Sequence, residues 1–449
     1  MTKYYLTLLE EKNYAELKEK LIHENPVDIA SLFEKIENPE QYLKLFRLLP
    51  KNVAAEAFAY LETDSRKNLI DAMTDKELSY ILNDLFLDDC VDLVEEMPAN
   101  VVTRLMKNAD QQTRALINRF LKYPEDSAGS VMTIEFVSLR PTMTIQQAFN
   151  HIRQTGVDKE TIYTCYVTEN RILEGFITVK DMLLSNPEDL IGSKMNTHVI
   201  SVGTLDDKEH IAKLVSKYDI MSLPVVDNEG RLVGIVTFDD AMDVLQEENT
   251  EDFVKMALVA PDNETYLRIS VIGHAKRRIL WLMILMLSAT ITGLLITYFE
   301  NELMFGGSLI LVSFIPMLMD TGGNCGSQSS TLIIRGMALD EIKSSDFLKV
   351  WSKEVRIALT VGVALAIVNA FRILIQYRGT EHIGLIALTV GLAMIITILI
   401  SKSLGCILPM FAKKTGLDPA IMAAPLITTI TDAASIFFYV MLARYLLKG

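Results

Sequence analysis

Cysteine, histidine and catalytic signatures are all scarce in this chain of 449 residues, and each shortage removes a class of function. The four cysteines, Cys90, Cys165, Cys325 and Cys406, lie far apart, without the paired spacing of a zinc site or a disulfide framework, and read as reduced thiols. The six histidines do not cluster, which argues against transition-metal transport. No glycine-rich loop runs into Lys-Ser or Lys-Thr, and no nucleophile stands at useful spacing from a base, so no enzymatic activity is expected. The start of the chain, Met1 to Tyr5 followed by Glu10 and Glu11, lacks the basic-then-apolar pattern of a cleaved signal. That predicts a first half that stays in the cytosol.

Charge divides what is present into two parts. Residues 1–264 hold 47 acidic and 27 basic side chains, whereas residues 265–449 hold 10 and 16. The first part is too charged for lipid, and its acidity disfavours nucleic acid as a partner. The second contains the uncharged runs of about 20 residues that a spanning helix needs. Five spans are expected: Ile279–Phe299, Leu303–Ile334 interrupted by Asp320, Ile357–Tyr377 with Arg372 inside it, Ile383–Ser401, and Pro419–Ala443, which opens on the helix-start pair Asp418-Pro419. Lysines and arginines before the first span and after the second and fourth put the N-terminal half inside and the C-terminal tail outside.

Two features of these spans call for a function. Asp432 lies mid-membrane, where an ionised carboxylate is costly unless it meets water, a cation or a partner. Pro425, seven residues earlier, is expected to kink the helix and free backbone carbonyls. The run Pro316 to Ser330, holding Asp320, Thr321, Gly322, Gly323, Asn324, Gly326 and Gln328, is too polar and glycine-rich for a helix facing lipid. It suits backbone lining a water-filled path, or close helix packing, and its oxygens suit a hard cation.

The acidic half contains a repeat. Gly175-Phe-Ile-Thr178-Val-Lys-Asp181 recurs as Gly234-Ile-Val-Thr237-Phe-Asp-Asp240, and the copies start at Val131-Met132-Thr133 and Lys194-Met195-Asn196. Each reads as strand, helix, strand, strand, helix in about 60 residues, too few to bury a core alone, so the two should pair. Ahead of it, residues 4–122 are helical in pattern, with breaks at Pro26, Pro39, Pro50 and Pro98 and a repeat too degenerate to assign a period. Asp88, Asp89, Asp92, Glu95 and Glu96 form one acidic cluster, and Asp239, Asp240, Asp243, Glu247, Glu248, Glu251 and Asp252 a second. Residues 250 to 272 read as a connecting helix.

Tyr123-Pro-Glu-Asp126-Ser-Ala-Gly129, the Thr321 to Ser329 run and the stretch from Pro425 to Asp432, in this order of parts, resemble the MgtE family of magnesium transporters along essentially the whole chain. The resemblance implies a multidomain protein: an all-α superhelical N domain (1–130), an α/β CBS-domain pair (131–192 and 193–249), a connecting "plug" helix (250–275) and an α-helical five-span transmembrane domain (276–449). It implies a homodimer in the cell membrane with its ion path on the two-fold axis. Asp432, with Asn324, Thr428, Gly323 and Asp320, would select hydrated Mg²⁺. It further implies that cytosolic Mg²⁺, bound in the zone of Asp88, Asp89, Asp92, Asp239, Asp243, Glu247, Glu251 and Asp252, holds the closed state. Thr178 and Asp181, and Thr237 and Asp240, match the positions where CBS units contact an adenine nucleotide such as ATP. Two other readings stand beside this one: an exchanger driven by Na⁺ or H⁺, and a membrane-bound nucleotide sensor that transports nothing.

Overall fold

The computed structural model describes residues 2–36, 38–260, 266, 269–299, 309–422 and 424–447. The chain divides into two compact units, Met1–Glu247 and Glu248–Gly449.

The first unit opens with ten helices between Thr2 and Phe120. Pro26 and Pro39 are the first residues of their helices, and Pro50 and Pro98 immediately precede theirs. A proline lacks the amide hydrogen that a first turn leaves unused, so these residues begin helices as well as ending the segments before them. From Pro26 onward every second helix packs together. Pro26–Phe33 lies on Lys51–Ala59, which lies on Asp75–Asp84, which lies on Ala99–Asn108; the intervening layer stacks Pro39–Phe46 on Thr63–Ala72, and Leu87–Glu96 on Gln111–Phe120. The second layer's helices begin at residues 39, 63, 87 and 111, so the superhelix repeats every 24 residues. That period escaped the sequence reading because the stacked faces need only apolar bulk at matching places, such as Phe46, Ile70 and Val94, and not the same side chains.

The two CBS copies follow. Strands β1 (Ser138–Leu139), β2 (Thr164–Glu169) and β3 (Ile172–Thr178) form one sheet, and β4 (Val202–Gly203), β5 (Ser222–Val226) and β6 (Leu232–Thr237) the other. In each, the first strand is parallel and the third antiparallel to the middle one. The copies exchange their starting segments. Thr133 bridges to Ile235 of the second copy, and Asn196 to Phe176 of the first. Gly175 and Gly234 permit this. A Cβ on Gly175 would stand 2.8 Å from the Asn196 carbonyl, and one on Gly234 2.8 Å from the Thr133 carbonyl. Tyr166, fully buried, closes the contact by donating to the Ser222 carbonyl at 2.7 Å. The linker before the pair is anchored likewise: the Tyr123 ring lies against Gly129, whose amide donates to the Thr204 carbonyl at 2.9 Å.

The last helix of the second copy does not stop where a separate connecting helix was expected to begin. It runs unbroken over Phe238–Met256 and ends at Leu258, which takes a left-handed conformation (φ 53°) with its side chain buried. Of the rest of the expected connector, residues 261–265, 267 and 268 lie outside the described residues, and residues 271–275 belong instead to the helix Val271–Tyr298.

The second unit holds five long helices among the described residues: Val271–Tyr298, Ile315–Ala338, Phe347–Gln376, Ile383–Thr415 and Ala424–Leu447. Four helical segments are long and apolar enough to cross a membrane; the exception is the glycine-rich Ile315–Ala338. Residues 303–308 of the expected second span lie outside the described residues. Ile383–Thr415 runs 14 residues past the expected Ser401 boundary and carries Pro409 inside it. Pro409 lacks the amide hydrogen that would close the turn on the Gly405 carbonyl.

Candidate functional site

Within the first unit, two helix starts bring carboxylates together. Leu87–Glu96 carries Asp88 and Asp89 in its first turn, and Phe238–Met256 carries Asp239 and Asp240 in its own. Unsatisfied amides at a helix start favour negative charge, which offsets part of the crowding. Burial, and then the Asp240 charge, push Asp89 up to about 6, although Arg66 opposes this. Burial followed by Asp240 also raises Asp88 well above the usual carboxylate range. Asp92 is raised in the same direction by burial and by Asp89, but its side chain is exposed and water screens it. Asp243 is raised by burial and by Asp239, while Glu247 lies 3.8 Å from Lys208.

Sequence reasoning missed Glu160 and Glu135, which join this cluster from irregular segments of the first CBS copy. Glu160 is pushed up to about 8 by burial and then by Asp240, Asp239, Asp89 and Glu135, and its Oε2 is buried without a hydrogen bond. Glu160 donates its own amide to the Glu135 carbonyl at 2.9 Å. No local pattern marks either residue. Among the described residues no three side chains already stand as direct ligands to a metal ion.

The paired CBS residues sit at helix starts. Thr178 donates to Asp181 Oδ2 at 2.6 Å while accepting from the Asp181 amide, and Thr237 donates to Asp240 Oδ2 in the same way. The copies differ in surroundings. Asp240 faces the carboxylate cluster, whereas Asp181 is exposed.

In the second unit, Glu251 and Asp252 lie on the last two turns of Phe238–Met256. Lys255 there pairs with Glu251 at 2.7 Å and with Asp418 at 2.8 Å, and Met256 is partly buried against the apolar cluster that holds Ile333, Met337 and Met410.

The glycine run is a continuous helix, not irregular backbone, and its residues sort onto two faces. Gly322, Gly323 and Gly326 are buried against neighbouring helices. A Cβ on Gly322 would stand 2.7 Å from Thr397 Cγ2, one on Gly323 2.7 Å from Thr428 Cγ2, and one on Gly326 2.6 Å from Ile427 Cγ2. Absence of a side chain is therefore what these positions need. Asp320, Asn324 and Gln328, four residues apart, form an exposed row on the other face.

Pro425 does not kink the last helix. It occupies the second position of Ala424–Leu447, where a missing amide costs nothing, and its carbonyl is taken by the hydroxyls of Thr428 at 2.9 Å and Thr429 at 3.0 Å. Asp418 caps the short turn before it, accepting from the Ala420 amide at 2.8 Å. Asp432, two turns into the helix, is half-buried and within electrostatic reach of Asp320. A buried ion pair that sequence reasoning also missed ties three helices beside this region. Lys402 lies 3.7 Å from Glu354, and Ser329 donates to Glu354 at 2.6 Å while accepting from Lys402 at 3.0 Å.

The chain matches the family model of the MgtE intracellular N domain over residues 24–126, the CBS domain over 128–186 and 188–247, and the MgtE divalent cation transporter over 315–442. It is 33% identical over 446 residues to the magnesium transporter MgtE of Thermus thermophilus, covering 98% of this chain and 97% of that one. This chain belongs to the MgtE family. The magnesium transporter MgtE of Bacillus subtilis is 29% identical over 436 residues, covering 97% and 94% of the two chains. A solved cytosolic domain of the Mg²⁺ channel MgtE in complex with ATP superposes with a TM-score of 0.51 at 34% identity, covering 54% of this chain and all of that one. The soluble part of a magnesium transporter gives 0.52 at 26% identity, covering 55% and 97%.

Proposed function

We propose that two copies of this MgtE-family chain form a Mg²⁺-selective channel or transporter in the cell membrane, with residues 1–250 in the cytosol and the C-terminus outside. Cytosolic Mg²⁺ closes it. The observation that carries the reading is the sorted glycine-rich helix: glycines fix one face to the bundle, and Asp320, Asn324 and Gln328 stand on a face that the described residues leave exposed. Three such side chains against lipid would cost several kcal/mol together. A second copy across a two-fold axis, enclosing a wet path, removes that cost and brings two Asp432 carboxylates to one ion. Asn324 amide oxygens and Asp432 then hold Mg²⁺ through its waters, and Gly323 acts by letting Thr428 approach.

Closure rests on the crowded carboxylates of the first unit. Mg²⁺ between Asp88, Asp89 and Asp92 on one side and Asp239, Asp240 and Asp243 on the other replaces repulsion with bridging, and so favours the docked arrangement in proportion to its preference for it. Within the second unit, Lys255 at the end of the Phe238–Met256 helix pairs with Asp418. An adenine nucleotide such as ATP fits the Thr178 and Asp181 cleft better than that of Thr237 and Asp240, because Asp240 already faces like charge.

Mg²⁺ flux into liposomes holding the purified chain tests this. Asp432→Ala should abolish flux, and Asp88→Asn with Asp89→Asn should conduct while losing most inhibition by internal Mg²⁺. Full flux from Asp432→Ala would remove the pore assignment. Flux that requires a Na⁺ or H⁺ gradient would favour the exchanger.

A further inference from the structure

A cavity of about 320 Å³ lies where the last N-domain helix meets both CBS copies, away from Thr178, Asp181, Thr237 and Asp240. Phe120, Met132, Phe136 and Leu232 give it an apolar wall. Arg119 and Arg171 also line it, and neither guanidinium forms an ion pair among the described residues. Ser138 and Thr168 add a hydroxyl pair 2.9 Å apart. In a unit with so large an acid excess, two unpaired arginines in one hollow mark the place where an anion is tolerated.

Arg119 has an ordinary reason for its position, since it sits in the last turn of Gln111–Phe120, where a cation is favoured. Arg171 has none. It follows Asn170 in the two-residue turn between β2 and β3, and both take left-handed conformations, φ 52° and 69°. The second position of such a turn favours glycine. The second CBS copy does place a glycine, Gly230, at φ 76° in its own turn. The first copy keeps an arginine there instead, locked by the Leu232 amide donating to the Arg171 carbonyl at 2.8 Å. A strained backbone that carries a specific side chain to a cavity points to what the side chain does.

We propose that this cavity binds a small phosphorylated metabolite with an apolar or aromatic body, its phosphate held by Arg119 and Arg171 and its body against Phe120 and Phe136. Arginine's planar fork matches phosphate oxygens, and the Ser138 and Thr168 hydroxyls supply further donors. The volume stands at the low end of the roughly 300–1,000 Å³ typical of small-molecule sites, so the ligand is no larger than a nucleoside monophosphate. Asp227 is the carboxylate within electrostatic reach of Arg171, and its Oδ1 is turned to the amides of Glu229 and Arg231, both at 2.9 Å. Because the site is built from the N domain and both CBS copies, its ligand binds the docked arrangement and raises Mg²⁺ affinity at the carboxylate cluster by the factor that Mg²⁺ raises its own. That consequence rests on the sensor reading above; the binding does not.

The test is titration of AMP and of phenyl phosphate into the full chain in nanodiscs without Mg²⁺, for the parent and for Arg119→Ala, Arg171→Gly and Asp181→Ala. Phenyl phosphate should bind the parent and Asp181→Ala alike, and at least tenfold more weakly to both arginine variants. Arg171→Gly should melt no lower than the parent, since glycine suits the turn. AMP binding that depends on the arginines identifies a nucleotide as the source of the phosphate, and arginine-dependent binding of phenyl phosphate alone identifies a non-nucleotide one. The proposal fails if neither probe shows arginine dependence, if Asp181→Ala abolishes the binding, or if Arg171→Gly lowers the melting temperature. Repeating the titration at saturating Mg²⁺ measures the linkage separately, so a failed sensor leaves the binding result intact.

Discussion

Withdrawing Mg²⁺ and raising the pH should loosen the Leu87–Glu96 helix from its carboxylate-bearing neighbour. Asp89 at about 6 and Glu160 at about 8 both stand above the values near 4 that such groups have in an unfolded chain. An acid with a raised folded pKa binds its proton more tightly when folded. The docked state is therefore at full strength below about pH 4 and weakens as pH rises through 6 and 8. Asp89 alone, shifted by about 2 units at roughly 1.4 kcal/mol each, accounts for roughly 3 kcal/mol. Glu160 shares the same neighbours, so its contribution overlaps and is not added. Roughly 3 kcal/mol is about a hundredfold in an opening equilibrium. Amide hydrogen exchange of the Leu87–Glu96 helix in the full chain, with chelator present and rates normalised for intrinsic exchange, should show that loss of protection between about pH 4 and pH 6.5. Mg²⁺ at a hundredfold excess over its Kd restores about 2.7 kcal/mol at the higher pH. Protection that is flat across this range, or indifferent to Mg²⁺ at pH about 6.5, would refute the argument that these carboxylates are crowded enough to sense an ion.

Two further substitutions probe the membrane unit. Lys402→Met leaves Glu354 buried without its cation and should cost about 3–5 kcal/mol, much of it recovered when Glu354→Gln is added. Trp351, whose indole donates to Ser403 at 3.2 Å beside this pair, reports the loss by fluorescence during thermal unfolding in detergent. Gly326→Ala drives a methyl group to 2.6 Å from Ile427 Cγ2 and should destabilise by about 1–3 kcal/mol. Gly293→Ala meets nothing within 4 Å and should be neutral or gain up to about 1 kcal/mol in the same assay.

The two solvents and the paired copies were legible in the sequence because each needs only composition or a repeated string. Charge separates residues 1–264 from the rest, and the Gly175 and Gly234 strings align by eye. What escaped depends on neighbours that sequence does not name. Gly322, Gly323 and Gly326 look the same whether they break a helix or admit Thr397, Thr428 and Ile427, and only the packed bundle decides for the second. Pro425 reads as a kink until the helix is seen to start beside it. Glu135 and Glu160 belong to the carboxylate cluster by folding alone, and the pairing of Lys402 with Glu354 joins residues 48 positions apart. The Phe238–Met256 helix crosses the expected domain boundary because nothing between Gln246 and Glu251 breaks a helix.

The exchange of starting segments between the CBS copies makes them a single folding problem. A chain ending between them would leave Phe176 and Gly175 on a naked strand edge, ready to recruit the same segment from another molecule. Half of this module is thus an aggregation hazard, and natural variation at Met132 or Met195 has to be tolerated by the opposite copy before its own.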